Sequence, residues 1–265
     1  MAAKTNPIMF IHGLWLHPTS WTDWMALFAD AGYDVLAPGW PGEAPTVAET
    51  RANPDAVANH GIDDIVGHLA EAIDKLPAAP ILIGHSFGGM FAEKLLGEGK
   101  AAATVAIDAA QIKGVLVVPL SSLRATLPVF KNPANKHRAV MLTAEQFHYA
   151  FGNAVSEEES NELYDRWVIP GPARPLFEAS VANFSIHSPA KVDTRAERGP
   201  LLLVTGGKDH TVPEKITKST LKQYKHSPSE NDLLEFPDRG HSLVIDSGWR
   251  AVADASLEWL DKHGL

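Results

Sequence analysis

Ile81-Leu82-Ile83-Gly84-His85-Ser86-Phe87-Gly88-Gly89 joins a short apolar run to a glycine-rich turn, and the rest of the chain reads as support for it. The run Ile81 to Ile83 is long enough for a buried strand and too short for a helix. It leads into Gly84-His85-Ser86-Phe87-Gly88, a G-x-S-x-G pattern, and then into Met90-Phe91-Ala92-Glu93-Lys94-Leu95-Leu96, a segment rich in helix formers. Strand, sharp turn and helix in that order are the context in which this pattern carries chemistry. A serine on a strained turn has its hydroxyl pushed outward, and Gly84 and Gly88 let strand and helix pass with no side chain between them. The backbone N–H of Phe87, at the start of the helix, is left free to meet a developing negative charge. Ser86 is therefore the candidate nucleophile. The competing reading, a small residue in a glycine-rich turn, loses weight because strand and helix flank it and two candidate partners lie downstream.

A chain of 265 residues suits one large domain, or a core with an insertion. At 45% hydrophobic and 21% charged residues its composition is that of a globular protein. The net charge of −9, with no Lys/Arg run, argues against a nucleic-acid partner. With no cysteine there is no disulfide, thiolate metal site or thiol nucleophile, as a reducing compartment would fit. The segment Met1 to Pro7 has no signal-like apolar region, and no stretch approaches the ~20 apolar residues of a membrane span. The expectation is a soluble, cytoplasmic protein with no membrane partner. Nothing in the sequence sets an oligomeric state.

Upstream, Ile8 to Ile11 reads as a buried strand ending at His12-Gly13. Ser20 and Asp23 have capping-box spacing for a helix that closes near Gly32. Asp34 to Pro38 is the next strand, followed by a loose Pro/Gly-rich loop to about Asn59. Ile62, Ile65, Val66, Leu69, Ile73 and Leu76 fall on one helical stripe that stops at Pro77. Thr104 to Ile107 is a strand ending at Asp108. This alternation is the mark of a parallel sheet covered on both faces.

Between Gln111 and about Val192 the alternation stops. Helical candidates appear there with their own caps, Thr143 with Gln146 and Ser156 with Glu159, and prolines punctuate the segment. It is too long for an ordinary loop, so it reads as a helical cap (residues 111–192) inserted in a core formed by residues 1–110 and 193–265. Its aromatics Phe130, Phe147, Tyr149, Phe151, Trp167, Phe177 and Phe184 are candidates for lining a pocket, against the plainer reading that they form the insertion's own core. Phe130, Phe147, Phe151 and Trp167, together with Trp15, are the substrate-binding candidates.

Alternation returns at Leu201 to Val204, followed by Thr205-Gly206-Gly207-Lys208-Asp209 and a helix with Pro213 at its start. Leu233 to Phe236 is the last strand. Pro237-Asp238-Arg239-Gly240-His241 and an amphipathic helix with Trp249, Val252, Ser256, Leu257 and Leu260 on one side complete the chain. Asp209 and His241 thus both follow strands, where an open parallel sheet presents functional groups. In the mechanism these positions imply, His241 takes the Ser86 proton and Asp209 holds the imidazole in the right tautomer. Asp108, also at a strand end, competes for the acid role and ranks second. The loop His12-Gly13-Leu14-Trp15 offers the second oxyanion donor, the Leu14 N–H, with Trp15 next in line. His12 and His85 read as structural.

The segments His12-Gly13, Gly84-His85-Ser86-Phe87-Gly88-Gly89, Gly207-Lys208-Asp209 with Val212-Pro213, and Gly240-His241 together resemble the α/β-hydrolase superfamily. The resemblance implies an α/β-hydrolase fold: a mostly parallel central sheet of the eight-stranded type with its first strands trimmed, flanked by helices, with a helical cap. It implies acyl transfer through a serine ester, with no metal and no organic cofactor, on a small-molecule ester-like substrate. Haloalkane dehalogenases and epoxide hydrolases carry aspartate at the position of Ser86. Plant-type hydroxynitrile lyases carry lysine where this chain has Ser242. The leading expectation is a carboxylesterase-like hydrolase of small to medium acyl substrates, with lactones as a second substrate class. The alternatives are a C–C bond hydrolase, a perhydrolase, a cofactor-free lyase or dioxygenase, or a ligand receptor that turns over slowly.

Overall fold

In a computed structural model, which describes residues 4–265, the apolar runs become neighbouring strands of one sheet. The first half alternates as β1 (Ile8–Ile11), α1 (Thr22–Asp30), β2 (Val35–Leu36), α2 (Val47–Ala52), α3 (Ile62–Ile73), β3 (Ile81–His85), α4 (Phe87–Gly97) and β4 (Ala103–Ile107). A long segment then adds nothing to that sheet: α5 (Leu120–Phe130), β5 (Ala139–Val140), α6 (Ala144–Ala150), α7 (Glu157–Trp167), β6 (Gly171–Pro172) and α8 (Arg174–Ser180), with β5 and β6 pairing as a small antiparallel ribbon. The alternation resumes with β7 (Leu201–Gly206), α9 (Glu214–Gln223), β8 (Asn231–Phe236) and α10 (Trp249–Lys262). This is the α/β-hydrolase architecture.

The six strands lie in the order β2-β1-β3-β4-β7-β8, and every pairing is parallel. In β1, β3 and β4 every residue is buried, which is why these strands read as unbroken apolar runs and not as alternating ones. The chain leaves β1 toward β2 and returns on its other side as β3. The carboxyl ends of β1 and β3 therefore flank the reversal in strand order, where an open sheet leaves a crevice. Helix α3 buries Ile62, Ile65, Val66, Leu69 and Ile73, the expected stripe cut short of Leu76. Against the other part of β1, Phe10 packs among Trp21, Trp24 and Phe28.

Several local expectations need correction. Ser20 caps nothing. His17 accepts the Thr19 N–H at the start of a 3₁₀ turn, Pro18–Trp21, and Ser20 lies inside that turn. The strand expected at 34–38 shrinks to two residues. The supposed loose loop contains α2, capped by Thr46, whose hydroxyl accepts the Glu49 N–H. Pro213 sits at the N-cap of α9 rather than inside its first turn. Both caps expected in the 111–192 segment form: Thr143 and Gln146 exchange hydrogen bonds, and Ser156 accepts the Glu159 N–H. Among the described residues, no helix is long and apolar enough to cross a membrane.

Candidate active site

Ser86 occupies the turn between β3 and α4 with φ 55° and ψ −121°, a conformation that a residue with a side chain adopts only under constraint. The constraint is close packing. A Cβ on Gly84 would collide with the Gly88 carbonyl, and one on Gly88 would collide with the Ile11 carbonyl. The loop after β1 comes equally near, since a Cβ on Gly13 would stand 2.8 Å from that of Ser86. These glycines allow strand, turn, helix and loop to share one small volume.

His241, in the loop after β8, brings Nε2 to 3.0 Å from Ser86 Oγ and Nδ1 to 2.6 Å from Asp209 Oδ2. A carboxylate only accepts, so Nδ1 carries the proton and Nε2 is free to accept from the serine hydroxyl. Asp209 is itself held in place, since its Oδ1 accepts the backbone N–H groups of Thr211 and Val212 at 2.6 and 2.8 Å. Ser86, Asp209 and His241 are all buried. Burial pushes His241 down to about 4, against the pull of Asp108, so the imidazole is neutral near pH 7. Burial raises Asp209 to about 7, opposed by the neighbouring Asp108 carboxyl and by the Val212 and Thr211 N–H groups.

Asp108 is the neighbour that separates the two candidate acids. It is fully buried at φ 41°, accepts the Gly206 N–H at 2.8 Å and keeps its second oxygen without a partner. Burial first, and the Asp209 charge second, push it well above the usual carboxylate range. Of two adjacent buried carboxyls one keeps its proton, and Asp108 is the one driven furthest up. Asp209 is the group on the imidazole.

Two histidines brace the site. His85 Nε2 donates to the His241 carbonyl at 2.9 Å, and burial lowers its basicity well below the ordinary value. His12 stacks on Trp40, places Nδ1 3.0 Å from the Gly13 carbonyl and Nε2 3.1 Å from a Glu43 oxygen. The Gly13 carbonyl also accepts the Leu16 N–H. With that carbonyl held and the peptide trans, the Leu14 N–H points to the opposite side. Among the described residues, neither it nor the Phe87 N–H has a protein acceptor.

A sequence model of the alpha/beta hydrolase family matches residues 8–255. The chain belongs to that family. Solved structures similar to this alpha/beta hydrolase include the monoacylglycerol lipase of Paleococcus ferrophilus, 20% identical with a TM-score of 0.67 over 97% of this chain and 96% of the other. A methylesterase from Arabidopsis is 16% identical, with a TM-score of 0.67 over 97% of this chain and 99% of that one. A pyrethroid hydrolase from Sphingobium faniae is 17% identical, with a TM-score of 0.64 over 97% of each. At these identities the likeness is one of fold. No curated protein matches the sequence.

Beside Ser86 the hydrolase has a cavity of about 230 Å³, walled mainly by apolar side chains of Phe87, Leu123, Phe130, Leu176, Val212 and Ile216. Phe130 is the one substrate-binding candidate from the sequence that lines it. Phe147 and Phe151 stack on each other, buried in the hydrophobic core, with Phe151 also against Trp15 and His85. Phe151 also sets its ring edge-on to His241 at 4.6 Å, an apolar wall that helps to desolvate the imidazole. Trp15, at φ 72°, is turned away from the cavity. Its indole N–H donates to the Val140 carbonyl, and its own carbonyl accepts the Ile169 N–H. Trp167 packs under Arg166 while its carbonyl accepts the His17 N–H, so both tryptophans tie the first loop to the segment. Tyr149 lines a separate cavity of about 510 Å³ with Arg124 and His210, Phe177 packs on Phe130, and Phe184 is exposed.

Sequence reasoning missed most of the cavity wall. Ala110 and Gln111 lie in the loop that follows β4, and Val212 closes the loop that carries Asp209. Their nearness to strand carboxyl ends was the available signal. For metals, the donor atoms of Asp108, Asp209 and His241 lie within 4.8 Å of one another, as do those of Glu230, Asp232 and His263. In the first group His241 Nδ1 already donates to Asp209, and a cation there would displace that proton.

Proposed function

We propose that the protein is a serine hydrolase of carboxylic esters, lactones included, with small to medium acyl groups. The observation that carries the reading is the continuous chain Ser86 Oγ, His241 Nε2, His241 Nδ1, Asp209 Oδ2, with links of 3.0 and 2.6 Å, on a strained turn at the rim of a parallel sheet. Ser86 Oγ attacks the acyl carbon while His241 Nε2 takes its proton. Asp209 stabilises the imidazolium, and the proton then passes to the leaving alkoxide. Water repeats the sequence on the acyl-enzyme. The Leu14 and Phe87 N–H groups form the oxyanion hole, supported by their lack of other acceptors and by the nearness of Gly13 to Ser86.

The apolar cavity takes the acyl group, and its size favours short to medium chains. Residues 111–192 act as a cap over a core of residues 1–110 and 193–265, since Leu123, Phe130 and Leu176 reach the cavity from α5 and α8. The test is turnover of an ester, lactone and amide panel with Ser86→Ala as the blank. Ester turnover that disappears in Ser86→Ala supports the reading. A non-ester substrate processed equally well by Ser86→Ala contradicts it and favours chemistry with His241 as a lone base.

A further inference from the structure

We propose that the outer face around the cavity mouth is a docking surface for an anionic lipid bilayer. Every large apolar side chain that stands exposed among the described residues lies in one of two segments, 116–127 or 181–186. Leu120 is 84% exposed, Phe184 91% and Ile186 83%, values ordinary for lysine and costly for such side chains in water. The two segments form one face. Gly114 N–H donates to Asn183 Oδ1 at 2.7 Å, Asn183 Nδ2 donates to the Val115 carbonyl at 2.8 Å, and Lys113 Nζ reaches the Ile186 carbonyl at 3.2 Å. Val118 and Leu123 are exposed and also line the cavity beside Ser86, so the apolar face surrounds its mouth.

Charge selects the occupant. The whole chain has a net charge of −9, yet from Ala109 to Ala144 it carries Lys113, Arg124, Lys131, Lys136 and Arg138 and not one Asp or Glu. From Ala179 to Val192 the sole charged residue is Lys191. Among the described residues none of these cations pairs with a carboxylate, whereas Lys4, Lys94, Lys100, Lys208 and Lys218 elsewhere do. An apolar patch with an unpaired basic rim on an acidic protein complements a surface that is apolar inside and anionic outside. A second copy of the chain fits less well, because a contact between two such faces would bring together two sets of cations that lack carboxylate partners. Adsorption of this kind needs no spanning helix, so it revises the sequence expectation of no membrane partner. Docked this way, the mouth faces the lipid, and a substrate dissolved in the bilayer would reach Ser86 without crossing water. That last step alone rests on the ester-hydrolase reading.

The test is co-sedimentation of the full chain with phosphatidylcholine vesicles, with and without phosphatidylglycerol, at low and high salt. The paired variants are Leu120→Ser with Phe184→Ser, and Lys131→Gln with Lys191→Gln. None of these four side chains lines the cavity, so turnover of a dissolved short ester stays at the wild-type rate in both variants and certifies their folding. Failure of that turnover in the wild type would count against the ester reading and leave the vesicle result standing. The expected result is retention on phosphatidylglycerol vesicles alone, weakened by salt and by roughly fivefold per lysine removed, and lost in the apolar variant. Absence of retention, retention indifferent to salt, or a dimer that the apolar variant dissociates would overturn the proposal.

Discussion

At the scale of single residues, the site separates three acidic or basic groups by their surroundings. Asp209 has two backbone N–H donors and the imidazole, Asp108 has one donor and a carboxylate neighbour, and His241 is enclosed by Phe151 and His85. Asp209→Asn should therefore cost three to four orders of magnitude in kcat/KM, roughly the cost of presenting the wrong tautomer to the serine. Asp108→Asn should leave kcat/KM within a few-fold, because an amide replaces a carboxyl that already holds its proton. The reverse ranking, measured with one soluble ester, would assign the acid role to Asp108. The pH profile carries the same logic. Catalysis needs His241 neutral and Asp209 ionised; burial lowers His241 to about 4 and raises Asp209 to about 7, so the first proton the pair takes up as pH falls goes to Asp209. The expected acid limb therefore has its midpoint near 7 and belongs to the pair. Activity level from about pH 8 down to about 5 would contradict it.

Among the elements, what was legible in the sequence followed from how much tertiary packing each one needed. Strands β1, β3, β4 and β7 are buried on both faces, so their unbroken apolar runs announce them. The caps Thr143 and Ser156 could be read because each bonds locally to its own helix. Thr46 and Glu49 carry the same local signal, hidden in a Pro/Gly-rich stretch. Arg51 then fixes the position of α2 by donating to the Val168 and Tyr164 carbonyls at the end of α7, 117 and 113 residues away, a contact no local pattern encodes. Ser20 misled because Pro18 started the turn two residues earlier. The cavity aromatics were misassigned for a related reason. A ring in the hydrophobic core and a ring facing a ligand look alike in the sequence, and only the packing of Phe147 on Phe151 tells them apart.

A further element-scale contact has a measurable consequence. Glu93 on α4 is buried, accepts the Tyr224 hydroxyl at 2.7 Å just beyond α9, and is raised to about 7, chiefly by burial and against the help of Tyr224 and Arg198. A folded-state value above the unfolded one contributes stability that is complete below about pH 4.5 and lost as pH rises through 7. Glu93→Gln keeps an acceptor for Tyr224 and does not titrate. It should match the wild type near pH 5 and exceed it by as much as roughly 3 kcal/mol above pH 8. Denaturant titrations at the two pH values check this, and a stability difference independent of pH would refute it.

For the molecule as a whole, Ser86 meets Asp209 and His241, both more than a hundred positions further along the chain, because a parallel sheet delivers its loops to one rim. The reversal between β1 and β3 brings Gly13 against Ser86, and the turns after β7 and β8 bring Asp209 and His241 to it. Their order along the chain, nucleophile then acid then histidine, was readable because each follows an apolar strand. The cavity was not, because its wall is shared between the sheet's loops and the 111–192 segment. The measurement that bears most directly on the central claim is intact mass and peptide mapping after reaction with a fluorophosphonate. The arrangement predicts one adduct per chain, on Ser86, absent in Ser86→Ala and formed orders of magnitude more slowly in His241→Ala. Absence of an adduct on folded wild type, or an adduct mapped to another serine, would contradict it.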